Sequence, residues 1–364
     1  MRTGRRMIRS ILLYCRPGFE AECAREISDL STKYGPGEIA RANAGSGYVV
    51  CRFADATSAL ACAKALPFAS ITFARQLIAA FDDVGPLSPG NRVQPVVDAV
   101  AEAGHLFSDV FLETADTNEA KQLSPLCRKL AVPFEKALRA QGLLADANGK
   151  PMPDAVRLHV LFASTDNALP GVSFVNNSSP WPMGIPRLKF PAGAPSRSAL
   201  KLEEAWYAFL SDQDIAEMLA PGLSAVDLGA SPGGWSWQFA SRGMNVTAVD
   251  NGRLDPQLLR SGVVHHVRAD AFTFVPRQPS YWMVCDVVEQ PSRIAKLAAQ
   301  WITRGWCKVT IFNLKLPMKR RYEEVIRCKN IIASELRSHG IRHQLLIKQL
   351  YHDREEATAF LRSL

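Results

Sequence analysis

"DLGASPGGWSW", residues 227–237, is open to more than one chemistry. Gly229, Ser231 and Gly233 are spaced G-x-S-x-G, as in a hydrolase nucleophile elbow. A glycine-rich turn after an apolar strand also marks a nucleotide pocket. In an α/β-hydrolase the residue after the nucleophile lends its backbone N–H to the oxyanion hole, but here that residue is Pro232, which has none. A dinucleotide fold wants G-x-G-x-x-G, whose second glycine admits a pyrophosphate; Ser231 stands at that place. What remains is a turn that brings Gly233 and Gly234 close to a nucleoside-type ligand without phosphates, such as S-adenosylmethionine. Asp250 ends the next strand, "VTAVD", where a carboxylate can bind a ribose diol, and Asp270 ends "VRAD", within reach of an adenine. Taken singly, each acid also has a reading as a strand cap, the lesser of the two.

Outward from this turn the rhythm is that of a doubly wound parallel sheet. A helical stretch, "LEEAWYAFLSDQDIAEML", leads into strand-like "SAVDLGA", "NVTAVD", "VHHVRADA", "YWMVCDVV" and "KVTIFNL", separated by helix-length segments. "RYEEVIRCKNIIASELRSHG" follows as a long helix. The end, "RHQLLIKQLYHD" and then "ATAFLRS", predicts a hairpin that adds an antiparallel strand. A Rossmann-like α/β domain over 201–364 is the expectation.

The first half reads as two small α+β units. "SILLYCR", "GYVVCRF" and "SITFARQLI" alternate with helical segments in β-α-β-α-β order, a ferredoxin-like candidate over 1–90. A second unit, 91–175, runs from "DVFLETADTN" through one long helix to "VRLHVLFAS" and "PGVSFVNN", and neither unit shows a catalytic constellation. Between the halves, residues 176–200 carry five prolines, Pro180, Pro182, Pro186, Pro191 and Pro195, and form a linker or an extended arm. Arg187, Lys189 and Arg197, with Trp181, suit phosphate contact and base stacking, and suit a semi-rigid spacer as well.

Charge follows the same division. Residues 1–175 hold 19 Lys and Arg against 18 Asp and Glu, and the remainder 24 against 17, so the basic excess belongs to the second half. A polyanionic partner accounts for such an excess through phosphate contacts. The arginine-rich start, "MRTGRRMIRS", runs straight into a strand and reads as a basic edge of the first domain. No run of about 18 uncharged apolar residues offers a membrane span. The eight cysteines form no C-x-x-C pair and sit among apolar neighbours, as expected of reduced core thiols in the cytoplasm, and no metal site is assembled at ligand spacing.

The atom that accepts a methyl group is narrowed by what is missing. An amino-group methyltransferase wants an Asn/Asp-Pro-Pro-aromatic loop after the fourth strand, where this chain has "CDVVEQP"; a cytosine C5 enzyme wants an exposed cysteine nucleophile, and Cys285 faces the core. Oxygen remains, and a ribose 2′-OH needs a base to take its proton. Lys201, in "SRSALKL", and Lys315, in "FNLKLP" at the carboxyl edge of the sheet, can form a Lys-Asp-Lys cluster with Asp286. The second ammonium and partial burial are expected to favour the neutral amine of Lys315, while Asp286 opposes that shift and orients it.

"SRSALKL", "DLGASPGGW", "VCDVV" and "NLKLP" are similar, in order and spacing, to the FtsJ-like ribose 2′-O-methyltransferases, with their Lys-Asp-Lys-Glu tetrad, over residues 196–364. The whole layout resembles the RlmM-type branch, in which ferredoxin-like and THUMP domains precede the methyltransferase. The resemblance implies S-adenosylmethionine contacts at Ser198, Ser231, Pro232, Gly233, Gly234, Asp250, Asp270 and Asp286, with Lys315 as proton acceptor and Lys201 and a glutamate completing the tetrad. "DREEAT" offers Glu355 and Glu356, and the strand that follows favours Glu356. It also implies 23S rRNA as partner, before or during large-subunit assembly, and cytidine 2498 as the target. Lys319, Arg320 and Arg321, with the basic arm, are then expected to hold the target strand. The alternative is a non-catalytic RNA-binding or assembly protein on the same fold, which has no need of Lys201, Asp286 and Lys315 together.

Overall fold

The computed structural model describes residues 8–35, 37–146 and 154–364; residues 1–7 of the expected basic edge lie outside them. Two compact units divide the chain between Pro186 and Arg187, inside the proline-rich stretch.

The first unit contains β1 (Ser10–Cys15), α1 (Glu20–Ser31), β2 (Gly37–Arg41), β3 (Tyr48–Phe53), α2 (Ala56–Ala65) and β4 (Ala74–Ala80). It continues with α3 (Gln94–Ala101), β5 (Phe107–Glu113), α4 (Asn118–Lys121), α5 (Ser124–Ala140), β6 (Val156–Phe162) and β7 (Ala168–Phe174). β2 and α3 are additions to the expected pattern. β2, "GEIAR", is a short charged strand at the sheet edge, where alternation is weakest. The two expected units share one seven-stranded sheet in the order β2-β3-β1-β4-β7-β6-β5. Their join is the antiparallel pairing of Ala79 with Val172 and Ala80 with Gly171.

The start of the proline-rich stretch is fastened to this unit by hydrogen bonds. Gln76 exchanges two with the backbone of Ser179, both 3.0 Å, and Asn177 receives one from Phe68 N at 2.8 Å while donating to Leu66 O at 2.8 Å. The Glu113 carboxylate accepts from Met183 N, from the Tyr14 hydroxyl at 2.8 Å and pairs with His159 Nδ1 at 2.8 Å. Gly184 turns there with φ +67°, and a Cβ on it would lie 1.9 Å from Arg75 O.

The second unit begins with α6 (Ala199–Phe209) and α7 (Asp212–Met218), which the hydropathy pattern predicts as one helix. Ser211 separates them: its hydroxyl accepts from Asp214 N and the Asp214 carboxylate accepts from Ser211 N, a capping box that starts α7 afresh. Then follow β8 (Ser224–Leu228), α8 (Gly234–Ala240), β9 (Asn245–Val249), α9 (Pro256–Arg260), β10 (Val264–Val267), β11 (Ser280–Cys285) and α10 (Pro291–Thr303). β12 (Cys307–Lys315), α11 (Arg321–Ser338), β13 (His343–Lys348) and β14 (Glu356–Ser363) complete it. The sheet order is β10-β9-β8-β11-β12-β14-β13, with β14 alone running against the other strands, so the fold is the expected Rossmann-like α/β class with an antiparallel terminal hairpin. Trp206, Phe239, Trp282 and Phe360 are buried in its core, with Trp206 edge-on to Phe239 at 5.3 Å. Among the described residues no helix is long and apolar enough to cross a membrane. All eight cysteines are buried and free.

Gly184→Ala adds a left-handed backbone penalty to a clash with fixed backbone. It should destabilise the first unit by roughly 2–5 kcal/mol, read as a lowered midpoint in thermal denaturation; an unchanged midpoint would show that the turn adjusts freely.

Candidate active site

Strand order dictates where the chemistry gathers. β8 lies between β9 and β11, and the carboxyl ends of these strands open onto a cavity of about 520 Å³. Its walls include Gly229, Ser231, Asp250, Asp270, Phe272, Asp286, Glu289 and Arg293. Gly229 takes φ +79°, and a Cβ there would lie 2.5 Å from Val287 Cγ2, so the turn leaves β8 only with glycine at this position.

Asp250 and Asp270 both face the cavity and both cap local backbone. Asp250 accepts from Ser231 N at 2.9 Å and from Gly252 N at 2.6 Å. Asp270 accepts from Phe272 N at 2.7 Å and Thr273 N at 3.2 Å through one oxygen, Oδ1. A carboxylate offers about four lone-pair sites, so capping leaves acceptor capacity for a ligand. Ser198, Pro232, Gly233 and Gly234 are not among the lining residues. They make the joint between the turn and α6: Trp235 Nε1 donates to Ser198 O at 3.0 Å, and a Cβ on Gly234 would lie 2.3 Å from Ser198 Oγ.

Beside the cavity stands a four-member cluster. Lys201 projects from the first turn of α6, Asp286 follows β11, Lys315 ends β12 and Glu356 begins β14. Lys315 Nζ donates to Asp286 Oδ1 at 2.7 Å and to Glu356; Lys201 Nζ donates to the other Glu356 oxygen and lies 3.7 Å from Asp286 Oδ2. Glu355 is elsewhere, accepting from Arg321 at 2.6 Å. Because β14 is antiparallel to β12, with Lys315 paired to Glu356, the acid of the last strand meets the lysine of the fifth.

Residues 8–78 match the RlmM ferredoxin-like domain, residues 91–174 the N-terminal region of ribosomal RNA large subunit methyltransferase M, and residues 194–298 the FtsJ-like methyltransferase family. Proteins named ribosomal RNA large subunit methyltransferase M from Cellvibrio japonicus and Methylococcus capsulatus are 48% and 50% identical to this chain over 352 residues. That is 97% of this chain and 99% and 97% of theirs. The chain belongs to the ribosomal RNA large subunit methyltransferase M family. A third relative of that name, from Azoarcus, is 47% identical over 97% of this chain and 96% of its own.

In this member of the methyltransferase M family the ionisation of Lys315 runs opposite to the sequence expectation. Burial is the largest single influence and draws its pKa down, but Asp286 and Glu356 together outweigh it and hold the amine above its ordinary 10.5. The expectation weighed one carboxylate; the cluster contains two, and the second arrives from residue 356. Phe272, Glu289 and Arg293 escape the sequence reading, as do Asn313 and Thr358 behind Asp286. The Arg293 guanidinium lies 4.6 Å from the Phe272 ring centroid and bonds Glu289. Strand alternation was the available signal for Asn313, which sits two residues before Lys315 on the same face of β12.

Asp227, under the turn, is buried and accepts from Ser236 Oγ at 2.7 Å. Burial pushes its pKa up to about 7, against the lowering effect of that bond and with help from the charges of Asp286 and Asp250. The folded state therefore holds a proton that the unfolded chain, with an ordinary carboxyl near 3.8, has already released. Stability attributable to Asp227 should fall as pH rises from about 4 to about 7, by up to about 1.4 kcal/mol per unit. Asp227→Asn should remove that slope in urea titrations across the window, and parallel pH profiles for both proteins would contradict it.

Proposed function

We propose that the protein transfers a methyl group from S-adenosylmethionine to the 2′-hydroxyl of a cytidine in 23S rRNA, cytidine 2498 by family resemblance, with Lys315 as general base. The observation that carries this reading is the Lys201–Asp286–Lys315–Glu356 cluster beside an acid-lined cavity at the carboxyl ends of the strands.

The cavity suits that cofactor. Of its four carboxylates, Asp286 is paired with the lysines and Glu289 with Arg293, and the charges of Asp250 and Asp270 remain in excess, which disfavours phosphates and favours a cationic nucleoside. In this reading Asp250 accepts from the ribose diol, Asp270 reaches the adenine, and Asp286 faces the amino-acid end. Ser231 lines the pocket, while Ser198, Pro232, Gly233 and Gly234 fix the turn around it. When bound, the cofactor supplies an electrophilic methyl on a sulfonium.

The residues of the chain do the rest. Two ammoniums and two carboxylates make the cluster neutral, and Lys315 rests as the ammonium. A cation held next to Asp286 and the loss of water when RNA covers the site both act in the direction of burial and lower the Lys315 pKa toward the working range. The neutral amine then takes the 2′-OH proton as the oxygen attacks, and the new ammonium is held by Asp286 and Glu356, which stabilise charge as it develops. Lys201 holds the other Glu356 oxygen and keeps that carboxylate in place.

RNA reaches the cluster past loops with the right chemistry. Val288 and Met318 are 84% and 86% exposed on the loops after Asp286 and Lys315, and offer apolar contact to bases. Lys319 and Arg320 are exposed beside them, whereas Arg321 is paired with Glu355. Residues 91–175, as a THUMP-like domain, would supply further RNA contact.

Lys315→Arg keeps the charge but cannot release a proton near neutral pH. It should bind cofactor and RNA nearly normally and lose single-turnover methyl transfer by about a hundredfold or more. Transfer within a few-fold of wild type at every pH would remove Lys315 as the base, and a wild type that binds rRNA without methylating it would favour the non-catalytic alternative.

Replacing Lys319 and Arg320 by Ala should lower the slope of log affinity against log salt for rRNA by about 1.5–2, the loss of two phosphate contacts. An unaltered slope would place the RNA on another surface.

A further inference from the structure

Behind the cluster, a second line of polar groups runs into the core. Asn313 Nδ2 donates to Asp286 Oδ1 at 2.8 Å. Thr358, cross-strand from Asn313, has its hydroxyl oxygen 2.8 Å from Asn313 Oδ1 and 3.0 Å from each carboxyl oxygen of Asp353. Leu350 N donates to Asp353 Oδ2 at 2.9 Å. Asn313, Thr358 and Asp353 are all fully buried.

Counting hydrogens assigns their direction. The Asp286 carboxylate only accepts, so the Asn313 amide must turn its nitrogen toward it and its oxygen toward Thr358. That oxygen needs a donor, and the single hydroxyl hydrogen of Thr358 is the one aimed at it. The hydroxyl is then left facing two Asp353 oxygens with no hydrogen of its own to offer. Three oxygens around one hydroxyl in a dry core are satisfied only if one of them brings another hydrogen.

We propose that Asp353 is carried as a neutral carboxylic acid that donates to Thr358, and that the chain Asp353–Thr358–Asn313 positions Asp286 and, through it, Lys315. Electrostatics agree with the geometry: burial drives the Asp353 carboxyl well above its usual range, and the charge of Glu356 pushes the same way, against Leu350 N and Lys201. The three are positioning residues, acting on Lys315 through Asp286. The assignment of the proton stands on geometry alone; its effect on Lys315 rests on the methyl-transfer reading above.

Two measurements test it. Difference infrared spectra of the full-length protein at pH 7, wild type minus Asp353→Asn, should show a protonated-carboxyl C=O band that the variant lacks. No such band would overturn the proton assignment whatever the protein catalyses. In methyl transfer to rRNA, Asp353→Asn should stay within about threefold of wild type, because an amide donates to Thr358 as the acid does. Thr358→Val should lower kcat by about tenfold or more while KM for cofactor and RNA holds, and Thr358→Ser should restore it. Full activity in Thr358→Val, or an Asp353→Asn loss as deep as that of Thr358→Val, would overturn the positioning role. A wild type without any transfer would instead overturn the function proposed above, leaving the infrared result to stand by itself.

Discussion

Lys315 stands opposite Glu356, and Asn313 opposite Thr358, because β14 inserts antiparallel between β12 and β13. The contacts of Glu356 with both lysines, and that of Thr358 with Asn313, depend on that register. Side chains alternate along a strand, so a slip of one residue would turn Glu356 away from both lysines and bring a neighbour to its place. The register is held by apolar burial: Ala357, Ala359, Phe360 and Leu361 of β14 are fully enclosed, and Phe360 stacks on Phe209 of α6 at 5.7 Å. The helix that receives this packing is also the one that carries Lys201.

The electrostatics follow from the same insertion. Removing ions from water is costly unless each finds a partner, and four charges brought together in alternating sign offset that cost mutually. Glu356 is 6% exposed and bonded to two ammoniums, so it depends on both of them. Each lysine in turn has two acids within reach. The cluster is cooperative in the sense that losing any one member leaves a buried charge short of partners.

What was legible in the sequence was local. The strands from Ser224 to Lys315 announce themselves by apolar runs, and their carboxyl ends, at Asp250, Asp270, Asp286 and Lys315, follow from the parallel order. The resemblance supplied Glu356 from a motif with two adjacent acids, and the structure puts Glu355 on Arg321 and Glu356 between the lysines. What was not legible depends on contacts far apart in the chain. The single sheet of the first unit turns on two residue pairs between β4 and β7, about ninety positions apart. The fastening of Ser179 by Gln76 spans 103 residues. The ionisation of Lys315 needed a carboxylate 41 residues away, and no window of local sequence contains it. Proline content predicts irregular backbone after Asn176, and irregular backbone can still be anchored by hydrogen bonds, as its first part is.

The acidic excess of the cavity, carried by Asp250 and Asp270, bears on turnover as well as on selection. Adenosine-bearing molecules in a cell mostly carry phosphates, and the acids repel them without any steric sieve. If the reaction is methyl transfer, the ligand enters with a positive sulfur and leaves with a neutral one. Walls that attract the first attract the second less, so the spent molecule is held more loosely than the fresh one. Exchange is then driven by the chemistry itself.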